Sequence, residues 1–201
     1  MKLLPMILAL VVMATAAAPA QSEPVRVRGT IAALGGDVLT VTTPAGSTKI
    51  DLLPKYSVRY IVKTDFAHIA AGSWIGCAAR TLPDGTLQAI EIHIFPPGLT
   101  PGAGSRPYDL GPSSTMTNGS AGDIDAAQVK DVGAHTLTIT YPDGKKTIVV
   151  PPSAVIVKYA PADRAALAPG AHVIFFAARA DDGSLSTASI NVGKDGLVPP
   201  M

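Results

Sequence analysis

The stretch DVLTVTTPAGSTKIDLLP, residues 37–54, recurs with substitutions 98 positions later as HTLTITYPDGKKTIVVPP, residues 135–152. Extending the comparison aligns residues 31–95 with residues 129–193 without a gap. Identities fall where backbone geometry is most restrictive, at Pro44 and Pro142, Gly46 and Gly144, Pro54 and Pro152, Gly72 and Gly170, and Gly85 and Gly183. Similarity at a fixed period indicates that one small structural unit occurs twice in the chain.

Within each copy, apolar and polar residues alternate with a period of two, which is typical of half-buried β-strands. In copy two, for example, Leu137, Ile139 and Tyr141 alternate with threonines. Turns containing Gly or Asp separate the strands, and one helical turn is expected at residues 65–71 and again at 163–168. Five short strands with a helical turn before the fourth predict a closed barrel of the OB type. The expected fold is therefore all-β, with two tandem five-stranded OB-like barrels that arose from an internal duplication.

The first twenty residues have the pattern of a secretory signal peptide. Lys2 precedes an apolar run from Leu3 to Met13, and small residues end at Ala20. An uncleaved anchor is the alternative, although the run is short for a membrane span. We therefore expect a periplasmic or secreted protein.

The predicted division of the chain is a signal peptide at 1–20, OB-like barrel 1 at 21–95, a Pro/Gly-rich connector at 96–123 with an ordered second half, OB-like barrel 2 at 124–193, and a tail at 194–201.

The charge and cysteine content exclude several classes of partner and cross-link. Removal of Lys2 leaves fifteen basic and fifteen acidic side chains, so no electrostatic attraction to nucleic acid or anionic lipid is expected. Cys77 is the only cysteine, so an internal disulfide cannot form, and we interpret it as a small buried hydrophobic residue. No segment after the signal peptide has an apolar run long enough to cross a bilayer.

Several motifs resemble those of small exported bacterial OB-like domains of unknown function. They are V-x-G-T-I at residues 27–31, DVLTV at 37–41, DGTLQA at 84–89 and a closing strand of alternating isoleucines at 90–94. The segment IHIFPPGLTPGAGSRPYDLGPSSTMTN, residues 92–118, is similar to one carried by a subset of tandem relatives. The resemblance covers most of the mature chain. It implies an OB-like fold and a periplasmic location, and it brings no established activity.

The hairpin formed by the fourth and fifth strands of copy one has two different faces. On the predicted core face the pairs are apolar: Ile75 with Ile94, Cys77 with Ile92, and Ala79 with Ile90. On the outer face they include aromatic and ionisable residues: Trp74 with Phe95, Gly76 with His93, and Ala78 with Glu91. Copy two does not repeat this outer set, which suggests a specific role. The alternatives are that the connector merely covers Trp74, or that the two barrels meet there.

The second half of the connector is rich in groups that can bind a ligand. Arg106, Tyr108 and Asp109 are followed by SSTMTN at residues 113–118, a run of short hydroxyl and amide groups. The prolines and glycines of the connector exclude regular structure, and so long a loop is usually either disordered or functional. We expect a cover or binding element docked on copy one. The predicted binding residues are Trp74, His93, Phe95, Arg106, Tyr108, Asp109, Thr115, Met116 and Asn118.

These patterns favour a non-catalytic periplasmic binding or scaffolding protein that needs no cofactor and recognises an envelope protein, a glycan or a small ligand. The alternative is a copper-type periplasmic metal-binding protein that uses His93, Asp109 and Met116, although no paired metal-ligand spacing is present. An enzyme is not expected. Ser113, His93 and Asp109 could form a triad only by chance, because no nucleophile elbow surrounds the serine.

Overall fold

The computed structural model describes residues 24–125 and 133–200, and the predicted signal peptide lies outside these ranges. The described residues form twelve strands and three short 3-10 turns, at Phe66–His68, Arg164–Ala166 and Lys194–Gly196. No helix within the two ranges is long and apolar enough to span a membrane. The strands are β1 Val25–Gly35, β2 Val38–Thr43, β3 Gly46–Thr64, β4 Trp74–Thr81, β5 Leu87–Ile94, β6 Gly104–Pro107, β7 Ser114–Asp125, β8 His135–Tyr141, β9 Gly144–Val150, β10 Val155–Ala162, β11 His172–Arg179 and β12 Leu185–Gly193.

Five of the strands close into a barrel. β1 pairs antiparallel with β2 and with β11, β2 pairs with β3, and β11 pairs with β12. The ring closes where β12 runs parallel to β3. Because side chains alternate along each strand, one face of every strand fills the interior. The buried core includes Val27, Ile31, Leu39, Val41, Ile50, Phe175 and Ile190. The all-β class and a closed five-stranded barrel are thus confirmed.

The other strands extend the same sheet. β10 pairs antiparallel with the second half of β3, with Tyr159 opposite Ile61, and it pairs parallel with β5. From β5 the strand order of the sheet continues through β4, β7, β8 and β9. The short β6 pairs with the edge of β7 opposite β4. A single bridge between Gln88 and Val149 joins β5 to β9. These strands enclose a second apolar cluster, which includes Ile75, Cys77, Ile92, Leu137, Ile139 and Ile148.

The closed barrel takes its strands from both halves of the sequence, whereas we predicted that residues 21–95 would close by themselves. β1 pairs with β11 rather than β4, and β12 rather than β5 lies beside β3. β3 continues for 19 residues, and its second half pairs with β10. Equivalent strands of the two copies have the same alternation of apolar residues, so either one can fill the place beside β1.

The connector contains two strands, although its prolines and glycines led us to exclude regular structure. β6 and β7 pair antiparallel with each other, and β7 also pairs with β4 and β8. After Ser113 the prolines stop and β-branched residues such as Thr115 and Thr117 alternate along the chain, which suits a strand. Gly119 is required in β7, since a Cβ there would lie 2.3 Å from the carbonyl oxygen of Thr140.

Candidate functional site

The outer face of the β4–β5 hairpin is buried, although we expected it to be an exposed recognition surface. The predicted pairs of Gly76 with His93 and of Ala78 with Glu91 are present, but a bulge after Ala78 places Ala79 opposite Ala89 instead of Ile90. His93 is 0% exposed and Glu91 is 1% exposed. The face lies against side chains from β10, β11, β12 and the connector. Connector residues and strands from the second half of the chain thus cover this face together.

A cavity of about 150 Å³ remains between these elements. Aromatic and aliphatic side chains form most of its walls, and a few polar groups enter it, as is typical of small-molecule sites. Phe176 is 58% exposed despite lining the cavity, so the cavity has an aromatic group at its solvent side. The lining residues are Arg26, His93, Phe95, Pro101, Arg106, Tyr108, Met116, Asn118, Tyr159, Ile174, Phe175, Phe176 and Asn191.

Most of the predicted binding residues meet at this cavity, namely His93, Phe95, Arg106, Tyr108, Met116 and Asn118. Three others lie outside its lining. The indole N–H of Trp74 donates a hydrogen bond of 3.2 Å to the carbonyl oxygen of Pro101. Asp109 forms ion pairs with β1, and Thr115 pairs with residues of β4 and β6 within the sheet. Trp74 therefore holds the connector through a hydrogen bond and does not present a free aromatic surface.

Four prominent lining residues were not predicted from the sequence: Arg26, Tyr159, Phe176 and Asn191. They come from β1, β10, β11 and β12, and their closeness to the hairpin depends on the long-range strand pairing. The only signal in the sequence was that Asn191 is the counterpart of His93 in the 98-residue repeat. A polar residue in both copies at one outer-face position was a hint that the two positions share an environment.

His93 lies between Tyr159 and Glu91. Its Nδ1 atom is 3.2 Å from the Tyr159 hydroxyl, and its Nε2 atom is 3.4 Å from the Glu91 Oε1 atom. The second contact is close enough for an ion pair but is not aligned as a hydrogen bond, so Nε2 and both Glu91 oxygens lack a hydrogen-bond partner among the described residues. We regard it as a contact between neutral groups, because burial disfavours the charged form of each.

Burial controls the ionisation of this pair. It raises the pKa of Glu91 to about 8, against the opposing effect of Arg28 and Arg26. It lowers the pKa of His93 to about 3. At pH 7 the carboxyl group is therefore mostly protonated and the imidazole is neutral.

The connector is attached to β1 beside the cavity. Arg26 Nη1 lies 2.8 Å from Asp109 Oδ2, and Arg28 Nη2 lies 3.3 Å from Asp109 Oδ1. The Arg26 guanidinium also lies 4.7 Å from the centre of the Tyr108 ring and 5.3 Å from that of Phe176. These contacts place the connector over the first strand of copy one, with its aromatic and acidic residues turned towards β1.

Two amide side chains at the cavity have free acceptor atoms. Asn118 donates through Nδ2 to the carbonyl oxygen of Gly102 at 3.1 Å, which leaves its Oδ1 atom without a partner. The Oδ1 atom of Asn191 also lacks a hydrogen-bond partner within the described part of the chain. Gly76 makes room for this arrangement, because a Cβ there would lie 2.7 Å from Asn118 Oδ1 and 3.2 Å from the Phe95 ring. Unpaired buried acceptors are costly and usually have a reason.

The residues of the alternative metal site are not brought together in the cavity. His93 and Met116 line it. Asp109 lies outside the lining, and its carboxylate forms ion pairs with Arg26 and Arg28. Across residues 24–125 and 133–200, no group of three or more His, Cys, Asp and Glu side chains could hold a metal ion. The cavity itself offers one imidazole and one thioether as metal ligands, with no carboxylate lining it.

Compared with known proteins, the chain matches no family model, and no curated protein or solved structure is significantly similar to it.

Proposed function

We propose that this chain is a non-catalytic binding protein of the periplasm that holds a small ligand in the cavity beside His93. The observation that carries this proposal is that three buried polar residues, His93, Asn118 and Asn191, each with a side-chain atom that lacks a hydrogen-bond partner among the described residues, line one largely apolar cavity. A ligand that hydrogen-bonds to these atoms would remove the cost of burying them unpaired. The pattern of the first twenty residues supports the periplasmic location.

The dimensions of the cavity favour a small molecule over an envelope protein or a glycan. A cavity of about 150 Å³ has the volume that accommodates one benzene-sized molecule. A stable protein partner needs an exposed contact area of roughly 800 Å² on each side, and the outer hairpin face is already buried.

The lining also supports binding without catalysis. Among the described residues, no Ser, Thr, Cys or Lys side chain lines the cavity, so the usual nucleophiles are missing from its wall. The imidazole of His93 has a pKa of about 3, far below the range in which a histidine exchanges protons efficiently near neutral pH.

A fragment screen tests this proposal. We expect at least one aromatic or heteroaromatic fragment to raise the melting temperature of the protein. An Ile174→Phe variant, which adds a ring to the cavity wall, should lose this response. Leu53→Phe adds a similar volume at an exposed site and should keep it. Equal binding to both variants, or no response to any fragment at millimolar concentration, would contradict a ligand site at this cavity.

We further propose that the fold is a pair of OB-like barrels that have exchanged their last two strands. The strands β5, β4, β7, β8 and β9 follow one another by pairing, and the Gln88–Val149 bridge connects the last, β9, to the first, β5. In this arrangement β4 and β5 complete the barrel begun by β7, while β11 and β12 complete the barrel begun by β1.

The recurrence of elements supports a common origin for the two barrels. β4 and β11 begin 98 residues apart, at Trp74 and His172, and so do β5 and β12. In β1, a Cβ on Gly29 would lie 2.2 Å from the carbonyl oxygen of Thr42, which matches the approach of Gly119 to Thr140 in β7. β7 thus occupies the place of a first strand, although it belongs to the segment we interpreted as the connector.

Cleavage of the chain tests the exchange. A protease site inserted after Leu99, which lies in a turn between β5 and β6, would separate the first five strands from the rest. With exchanged strands, the two fragments share both barrels and should stay together through gel filtration until denaturant is added. Release of two separately folded fragments would show that each copy closes by itself.

A further inference from the structure

We propose that the ligand of this cavity is a small organic anion, a hydroxy-substituted aromatic monocarboxylate with a body of about one ring. This inference rests on the proposed binding function and specifies the chemical class of the ligand.

The charges around the cavity are the first argument. Of the described residues that line it, only Arg26 and Arg106 are charged. Arg28 approaches from the same strand as Arg26, and both share the single carboxylate of Asp109. Positive charge therefore exceeds negative charge on this side of the cavity. The nearby carboxyl group of Glu91 is mostly neutral at pH 7 because its pKa is about 8.

Arg106 is the best placed to bind a carboxylate. Its Nη1 atom donates one hydrogen bond, 3.2 Å long, to the carbonyl oxygen of Gly102. It forms no ion pair with any acidic side chain in the described ranges. A guanidinium has five N–H donors in a planar fork that matches the two oxygens of a carboxylate. Arg106 lines the cavity and is itself exposed to solvent, so most of these donors remain available to a ligand.

The walls fit a flat apolar body. Phe95 and Tyr159 lie 5.3 Å apart with an angle of 21° between their rings, and Phe176 faces the cavity from β11. Aromatic rings favour offset stacking against such a surface. Met116 and Ile174 complete an apolar lining around a volume of about 150 Å³, which matches one ring.

The unpaired amide oxygens orient the ligand and indicate a second polar group. Oδ1 of Asn118 and Oδ1 of Asn191 can only accept hydrogen bonds, so they would repel a carboxylate and attract a hydroxyl group. Arg106 and Asn118 both donate to the carbonyl oxygen of Gly102 and so lie on one side of the cavity, whereas Asn191 lines it from β12. A carboxylate beside Arg106 and a hydroxyl group beside an amide oxygen would therefore each have a partner. A ring with a carboxylate and a hydroxyl group satisfies both.

Three probes with the same hydroxyphenyl body and different charge test the inference on the full mature chain. They are 4-hydroxybenzoate, 4-hydroxybenzamide and 4-hydroxybenzylamine, compared by isothermal titration calorimetry at pH 7. We expect the anion to bind at least tenfold more tightly than the other two. In Arg106→Met the advantage of the anion should fall about tenfold. Arg80→Met is the matched control, because Arg80 is exposed and bonds to Gln88 outside the cavity.

Each other outcome overturns a defined part of the argument. Tighter binding of the amide or the amine would reject an anionic ligand while leaving a ligand-binding cavity in place. Equal losses in Arg106→Met and Arg80→Met would mean that general surface charge, not this cavity, attracts the anion. Absence of binding by all three probes would reject the proposed ligand class, whereas the fragment screen with Ile174→Phe decides separately whether the cavity binds any ligand.

Discussion

The β4–β5 and β11–β12 hairpins share equivalent strand pairs and have different outer faces. Ile75 opposite Ile94 corresponds to Val173 opposite Val192, and the next pairs outward are Gly76 with His93 and Ile174 with Asn191. The counterpart of buried Glu91 is Ser189, which receives a hydrogen bond of 2.9 Å from Arg59. The same hairpin framework thus carries buried ionisable groups with partnerless atoms in copy one, and in copy two a hydrogen-bonded serine beside an asparagine whose Oδ1 atom has no partner among the described residues.

Exchanging core residues between the hairpins should have the largest effect. Phe175 occupies in β11 the position that Cys77 occupies in β4, and both are buried. Phe175→Cys would leave a cavity about as large as the phenyl ring that is removed. We expect a loss of about 3 kcal/mol in the free energy of unfolding, measured in urea. A loss below about 1 kcal/mol would mean that the core of the closed barrel does not depend on the size of this residue.

The buried Glu91 should make stability depend on pH, unlike its counterpart Ser189. Its folded pKa of about 8 is raised above the ordinary 4.5, so its contribution is complete below pH 4.5 and is lost as pH rises to 8. His93 has the opposite effect, because its lowered pKa removes stability as pH falls from 6.5 to about 3. The two slopes oppose each other between pH 4.5 and 6.5.

Of these two groups, only Glu91 still affects stability above pH 6.5. It lowers the free energy of unfolding by up to about 1.4 kcal/mol for each pH unit. The neighbouring Cys77, Tyr108 and Tyr159 do not titrate in this window, since burial raises the pKa of each. We therefore expect the unfolding free energy to fall by roughly 2 kcal/mol between pH 6.5 and 8. Glu91→Gln should abolish this fall when unfolding is followed in urea. An equal fall in the variant would assign it to other groups.

Replacing His93 by Asn, the residue at the equivalent position 191, should have a moderate effect on the free energy of unfolding. His93→Asn shortens the side chain and removes the contact with the Tyr159 hydroxyl. We expect a stability loss of about 1 kcal/mol, as for one buried hydrogen bond. Tyr159→Phe removes the other partner, and the double variant should lose little more than either single one. Additive losses would show that the two side chains do not interact.

The smallest effect is expected at the ion pairs that fix the connector to β1. Asp109 is more than half exposed, so Asp109→Asn should cost no more than about 1 kcal/mol. The difference from wild type should shrink in 1 M salt, where exposed charges are screened. Asp182→Asn is a comparable change in a turn of copy two with no ion pair to an arginine among the described residues. A salt-independent loss at Asp109 would point to packing instead.

Local features of this fold could be predicted from the sequence because they depend on neighbouring residues. Alternation along the strands and the Asp84-Gly85 turn were enough to pair Cys77 with Ile92 and Gly76 with His93. The bulge after Ala78 was not visible, since small residues on both sides of it are compatible with either register. The partner of β1 was also undetermined, because β4 and β11 offer it nearly the same apolar pattern.

The candidate site could be predicted only for the part that lies close in sequence. His93 and Phe95 share the end of one strand, and Arg106 to Asn118 follow it in the connector. Tyr159 and Asn191 lie far along the chain. Tyr159 approaches His93 through the pairing of β10 with β3 and β5, and Asn191 approaches it through the pairing of β12 with β3. Burial of the outer hairpin face has the same cause, so an exposed surface was the wrong expectation.

Ile61 and Tyr159, which lie opposite each other in the β3–β10 pair, are equivalent positions of the 98-residue repeat. In a symmetric assembly of two separate copies, such a contact would join a residue to itself, and every mutation would change both sides at once. Within one chain this constraint is absent, because the two equivalent positions can carry different residues. The Tyr159 hydroxyl lies 3.2 Å from Nδ1 of His93, while position 61 carries the aliphatic side chain of Ile61. One central site can therefore have two unlike walls.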